Sequence, residues 1–149
     1  MITIPLKILP HGEGLPYPFY ATPQSAGMDV FAAIDAPETL PPRERIVVKL
    51  GFCIALPDGI EAQIRSRSGL AAKHGVCVLN APGTIDPDYR GELGAILINL
   101  GQDPFVIERG MRIAQIVFAE FVRCSMQISE DLSSTERGDS GFGSTGIKT

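Results

Sequence analysis

The stretch Arg45–Arg65, RIVVKLGFCIALPDGIEAQIR, decides the fold class. It holds three short runs rich in Val, Ile, Phe and Leu: Arg45–Leu50, Phe52–Leu56 and Ile60–Arg65. Gly51 parts the first two, and Pro57-Asp58-Gly59 parts the last two. Runs this short between turn residues read as strands, since a buried helix needs about ten residues or more. The same pattern extends outward through Ile2–Leu9, Met28–Ala33, Val76–Asn80, Gly94–Leu100, Phe105–Glu108 and Ile113–Val122. Pro41-Pro42, Pro82-Gly83, Asp86-Pro87-Asp88 and Gly101-Gln102-Asp103-Pro104 punctuate it. Sixteen glycines and twelve prolines among 149 residues are too many breakers for a helical bundle. The reading is one all-β domain: a sandwich, a barrel or a jelly roll.

Three segments depart from the pattern. Ser68-Gly69-Leu70-Ala71-Ala72-Lys73-His74-Gly75 predicts a short helix, with Ser68 as N-cap and Gly75 as its stop. Ile113–Val122 is apolar on both parities of a strand, which predicts cover on both faces, the second from another subunit or a second layer. Ser133–Thr149 is mostly Gly, Ser and Thr, too polar to bury, yet it carries Arg137 and Phe142.

Composition excludes several functions. The net charge is −4, whereas a duplex-binding protein carries a basic excess, so no nucleic-acid partner is expected. No apolar run approaches the ~20 residues of a membrane span, and Met1–Pro10 is no secretory signal. Cys53, Cys77 and Cys124 form no C-x-x-C and each has apolar neighbours, which predicts buried, reduced thiols and a cytoplasmic protein. His11 and His74 lie far apart from each other and make no zinc site with these cysteines by any usual spacing.

Three places could carry chemistry. Arg67-Ser68-Gly69 puts a guanidinium and a hydroxyl at a helix start, the parts of a phosphate cradle. In Asn80–Gly91, NAPGTIDPDYRG, an Asp could act as general base and Tyr89 could offer a flat face to a sugar or base. The spacing does not decide between Asp86 and Asp88. The tail segment Arg137–Gly146, RGDSGFGSTG, is not a Walker A loop, because Ile147 separates Gly146 from Lys148. It could still wrap a phosphate with glycine amides and Arg137, with Phe142 stacking on a base.

Taken in order, AGMDVFAA (Ala26–Ala33), RSGLA (Arg67–Ala71), NAPGTIDPDYRGELGAILIN (Asn80–Asn99), RGMRIAQIVF (Arg109–Phe118) and RGDSGFGSTG (Arg137–Gly146) resemble the five motifs of the trimeric dUTPases. The resemblance implies a jelly-roll-like β barrel with one short helix, a domain over residues 1–132, and a flexible C-terminal arm over 133–149. It implies a homotrimer whose active sites lie at subunit interfaces, the arm of one chain closing a site built by others. Asp86 falls on the general base, and Asp88 on a variable turn position. Tyr89 falls on the aromatic beneath the deoxyribose. Asn80, with the backbone of Thr84, Ile85 and Asp86, falls on the hairpin that reads uracil. Arg67, Ser68, Gly69 and Gln115 fall on phosphate contacts, Arg137 on the arm's phosphate contact, and Phe142 on its stacking aromatic. Asp29 falls on a carboxylate that supports the metal–water shell. Ser66 departs from the family's usual Pro, which predicts a looser approach to the helix and a small effect.

The implied reaction is dUTP + H₂O → dUMP + pyrophosphate, keeping uracil out of DNA and supplying dUMP for thymidylate synthesis. Water attacks the α-phosphorus, so no protein nucleophile is needed. Mg²⁺, a hard ion that keeps waters, would be held mainly by the triphosphate. Two other readings are a dCTP deaminase-like enzyme of the same fold and a non-catalytic nucleotide-binding trimer. The deaminase is disfavoured by Arg67-Ser68-Gly69 and by an Asp where that group has Glu. The inert trimer is disfavoured by the intact Asp86 and arm.

Overall fold

The computed structural model describes residues 2–141. Among them the strands are β1 (Leu6–Ile8), β2 (Met28–Phe31), β3 (Glu38–Leu40), β4 (Arg45–Lys49), β5 (Phe52–Ile54), β6 (Ile60–Arg65), β7 (Val76–Val78), β8 (Gly83–Ile85), β9 (Gly94–Asn99), β10 (Phe105–Ile107) and β11 (Arg112–Glu120). One α-helix, α1 (Ser68–His74), lies between β6 and β7, and a single 3-10 turn spans Pro10–Gly12. All pairings are antiparallel. The strands form a four-stranded sheet, β2-β11-β6-β8, a three-stranded sheet, β4-β9-β7, and two ribbons, β1-β5 and β3-β10. The architecture is jelly-roll-like but is not one closed barrel.

The core lies between the two larger sheets. β6 shows why the sequence folds this way. Ile60, Ala62 and Ile64 are buried, while Glu61, Gln63 and Arg65 face outward. The outward row is tied together. Arg65 Nε donates to Gln63 Oε1 at 2.9 Å, and Gln63 Nε2 donates to Glu61 Oε1 at 2.7 Å. From the other sheet Val48, Val76, Val78, Ala95 and Leu97 complete the packing.

β11 does not keep one parity. Its register against β2 shifts between Arg112 and Ala114, an irregularity that inserts an extra residue. Ile113 is therefore buried, and so are Ala114 and Ile116. This accounts for part of the doubly apolar pattern of Ile113–Val122. Within one chain the inner face is covered, but Val117 and Phe118 remain partly exposed. The strand ends at Glu120, and Val122 is 86% exposed.

Four further expectations differ from the structure. β3 and β8 are strands where none was predicted, because each is three residues long and set among prolines. Arg67, extended at φ −91° and ψ 126°, takes the N-cap place of α1, and Ser68 is the first helical residue with no capping bond. Gly75 does end the helix, at φ 68°. The cysteines are free but not buried: Cys53 and Cys77 sit on the outward parity of β5 and β7, and Cys124 is exposed beyond β11.

The chain exposes 10747 Å². A compact globule of this mass exposes roughly 7,000 Å². Part of the excess lies beyond β11, where Met126, Ile128 and Leu132 are almost fully exposed.

Candidate active site

The four-stranded sheet positions one group of site residues. Register places Asp29 of β2 and Arg65 of β6 on either side of Gln115 in β11. Arg67, just past β6, reaches back over this row. Its Nε forms an ion pair with Asp29 Oδ1 at 2.9 Å, and its Nη1 donates to the Arg112 carbonyl at 2.8 Å. Arg112 Nη1 donates to Asp29 Oδ2 at 3.2 Å. Asp29 thus holds two guanidinium groups side by side, and Ser68 and Gly69 lie exposed next to them at the start of α1. Ser66 ties this end down rather than loosening it. Its Oγ accepts the Val78 N–H at 2.9 Å, and its carbonyl accepts Gln115 Nε2 at 2.9 Å. A Pro at this position would lack the hydroxyl that Val78 uses.

The second group runs along β8 and its following turn. β8 pairs with β6 through Ile64↔Gly83, Gln63↔Thr84 and Ala62↔Ile85. Ile85 is buried, whereas Asn80, Thr84 and Asp86 are exposed. The Asn80 carboxamide lies over Gly83, where a Cβ would come within 3.2 Å of its Nδ2. Asp86-Pro87-Asp88-Tyr89 forms a turn closed by the Tyr89 N–H on the Asp86 carbonyl at 3.2 Å. Arg90 Nη1 donates to the carbonyls of Pro87 at 2.5 Å and Tyr89 at 2.8 Å, bracing that turn. Asp86, Asp88, Arg90, Asp58, Phe121 and Arg123 line a cleft of about 610 Å³. Tyr89 is 46% exposed, and its phenol donates to the Glu92 carbonyl at 3.0 Å.

Within one chain these groups stand apart. Ile85 is level with Ala62, so Asp86 is level with Glu61, six positions from Arg67. At about 3.3 Å per strand residue that is roughly 20 Å. One chain therefore brings Asp29, Arg67, Ser68, Gly69 and Gln115 together, and separately Asn80, Thr84, Ile85, Asp86 and Tyr89. It does not join Asp86 to Arg67. Arg137 bonds within its own turn, its Nε donating to the Ser140 carbonyl at 2.9 Å. Phe142 lies outside the described residues.

Among the described residues no three His, Cys, Asp or Glu gather as a metal cage. None of their helices is long and apolar enough to cross a membrane. Two features escaped the sequence reading. Arg112 stands inside the quoted RGMRIAQIVF, and its place in that motif three residues before Gln115 was the available signal. Glu92 stands inside the quoted third motif, but its partners come from distant segments.

Three comparisons bear on the family and the fold. The dUTPase family model matches residues 14–146. The chain is 53% identical over 146 residues to the deoxyuridine 5'-triphosphate nucleotidohydrolase of Anaplasma marginale (strain St. Maries), covering 98% of this chain and 99% of that protein. It is 54% identical over 152 residues to the same-named protein of Maricaulis maris (strain MCS10), covering 99% and 100%. Among solved structures it resembles a mutant dUTPase of Staphylococcus bacteriophage 80alpha with dUpNHpp. That match has a TM-score of 0.88 and 26% identity, over 99% of this chain and 100% of that one. The family model and these relatives mark a hydrolase of nucleotide metabolism. The chain belongs to the dUTPase family.

Proposed function

We propose that this enzyme hydrolyses dUTP to dUMP and pyrophosphate in a homotrimer whose sites are shared between chains. The observation that carries this reading is the separation of Asp86 from Arg67. A general base must lie within about 3 Å, or one water, of the proton it takes. No single chain offers Asp86 and the guanidinium groups to one nucleotide, whereas a neighbouring chain can. The excess exposed surface supports an oligomer. So does an apolar groove of about 700 Å³ lined by Ile4, Leu6, Tyr17, Met28, Phe118 and others.

In this reading Asp86 takes a proton from the water that attacks the α-phosphorus. Arg67, with Ser68, Gly69 and Gln115 beside it, offsets the charge growing on the departing pyrophosphate. Asn80 and the backbone of Thr84, Ile85 and Asp86 pair with the uracil edge. Cytosine inverts that hydrogen-bond pattern and leaves buried groups unpaired, a loss that discriminates strongly. Tyr89 lies beneath the deoxyribose and leaves no room for a 2′-hydroxyl. The arm, residues 133–149, closes over the site, with Arg137 on phosphate and Phe142 on the base.

Magnesium fits these residues as an ion carried by the triphosphate. Asp29 meets Arg67 and Arg112 through one contact per oxygen, and a carboxylate has about four acceptor sites. It can thus hold the ion's water shell, and the ion when bound supplies positive charge along the phosphate chain.

The test is a panel of dUTP, dTTP, dCTP and UTP with pyrophosphate and ammonia detection. Pyrophosphate from dUTP alone is expected. Ammonia from dCTP, or no release at all, would overturn the reading. Asp86→Asn should lower kcat by roughly 10²–10⁴-fold, the usual worth of a positioned base.

A further inference from the structure

Tyr89 is held by a junction of three distant segments. Its phenol donates to the Glu92 carbonyl, and the same peptide's Leu93 N–H donates to the Phe52 carbonyl at 3.0 Å. The phenol lies flat on Gly91, where a Cβ would fall 2.3 Å from Oη. The Glu92 side chain runs the other way. Gly51 N–H donates to its Oε1 at 3.1 Å, His11 Nε2 bonds the same oxygen, and Lys49 Nζ stands 3.5 Å from Oε2. The Glu92 and His11 side chains are mostly buried, while Lys49 is largely in solvent.

The partners of Glu92 are themselves fixed. Gly51, at φ 75°, meets Gly12 backbone to backbone; a Cβ on Gly12 would fall 2.2 Å from the Gly51 carbonyl oxygen. Only glycines allow that approach. Leu9 N–H donates to the same carbonyl at 2.9 Å. Arg109 Nη1 donates to the His11 carbonyl at 2.8 Å, and its Nη2 to that of Glu13 at 3.0 Å. The N-terminal segment around His11 is therefore a rigid bracket behind the turn that carries Tyr89.

We infer that Glu92 and His11 are positioning residues that set the pose of Tyr89 and so the rejection of ribonucleotides. This rests on the reading of Tyr89 beneath the deoxyribose. A misplaced ring opens space for a 2′-hydroxyl while leaving Asp86 untouched. The effect is thus a change in substrate discrimination, not a loss of chemistry.

The experiment uses full-length protein labelled with 3-fluorotyrosine. Its Tyr17, Tyr20 and Tyr89 resonances are assigned with Tyr→Phe variants. Glu92→Ala and His11→Gln are compared with Glu92→Gln, which keeps an acceptor for the Gly51 N–H. Glu92→Ala should move the Tyr89 resonance alone and cut the dUTP-over-UTP ratio of kcat/KM by about tenfold, the scale of one lost steric or polar discriminator. KM for dUTP should change more than kcat. His11→Gln should give a smaller shift in the same direction, and Glu92→Gln should restore most of the ratio. An unmoved resonance, or an unchanged ratio in folded Glu92→Ala and His11→Gln, overturns the inference. The fluorine signal needs no substrate, so a protein inert toward dUTP would sink the proposed function while the signal still reports on the Tyr89 pose.

Discussion

Two dead enzymes should make a live one. Asp86→Asn removes the proposed base, and Arg67→Ala removes the proposed phosphate contact. Each leaves its own chain folded: Asp86 is exposed on a turn, and Asp29 keeps Arg112 when Arg67 is lost. The two positions lie roughly 20 Å apart in one chain at the usual rise per strand residue. A site that draws on two chains therefore needs an intact Asp86 from one and an intact Arg67 from another. In an equal mixture unfolded and refolded together, each half is intact with even odds, so about a quarter of the sites are whole in a closed cyclic oligomer. Pyrophosphate release from dUTP reads this directly. Each variant alone should show under about one hundredth of wild-type turnover, and the mixture about a quarter, independent of which variant carries a tag. A mixture no more active than the mean of its two components would refute the shared site.

Gly91→Ala must push the Tyr89 phenol off its seat, since the new methyl would fall 2.3 Å from Oη; KM for dUTP should rise in steady-state assays with the fold intact by circular dichroism. Ile116→Ala, at a position 1% exposed, should cost about 2–5 kcal/mol in denaturant unfolding, the usual range for such a core truncation. Burial pushes the Glu92 carboxyl up, but the His11 hydrogen bond, the Gly51 N–H and the charges of His11 and Lys49 outweigh it and hold it below the ordinary range. A lowered folded value stabilises above the ordinary glutamate pKa of about 4.3 and is lost as pH falls below it. Acid unfolding of Glu92→Gln should therefore show a flatter pH dependence below that point than wild type does. Removing residues 133–149 should leave unfolding of the body unchanged and lower turnover strongly; equal turnover would remove the arm from the reaction.

Much of this was legible in the sequence. Ile60–Arg65 alternates cleanly and is a strand at those very bounds, because one face meets the core and the other meets solvent. Gly75 stops its helix because few other residues sit well at φ 68°. What the sequence hid depends on distant partners. β3 exists only through pairing with β10, and nothing in Glu38-Thr39-Leu40 signals it. Ile113 looked like the opposite face from Ile116 because a register shift cannot be seen in one strand alone. The exposure of Cys124 followed from the end of β11 at Glu120, where the apolar run suggested more strand. The site residues were found by motif, but their division into two groups needed the β6–β8 register. His11 and Glu92, eighty-one positions apart, could be joined only by the fold.

The extra residue near Ile113 gives β11 a reading frame in space. Upstream of it the strand is phased to Phe31; downstream, Gln115 is phased outward with Asp29 and Arg65, and Ile116 inward with Ile64. Deleting that one residue would rotate every later side chain by half a turn. The carboxamide would be turned into the core, and isoleucine would be set on the outward face in its place. Here, length matters more than composition: many apolar residues could fill the inner places, but no substitution can repair a lost count.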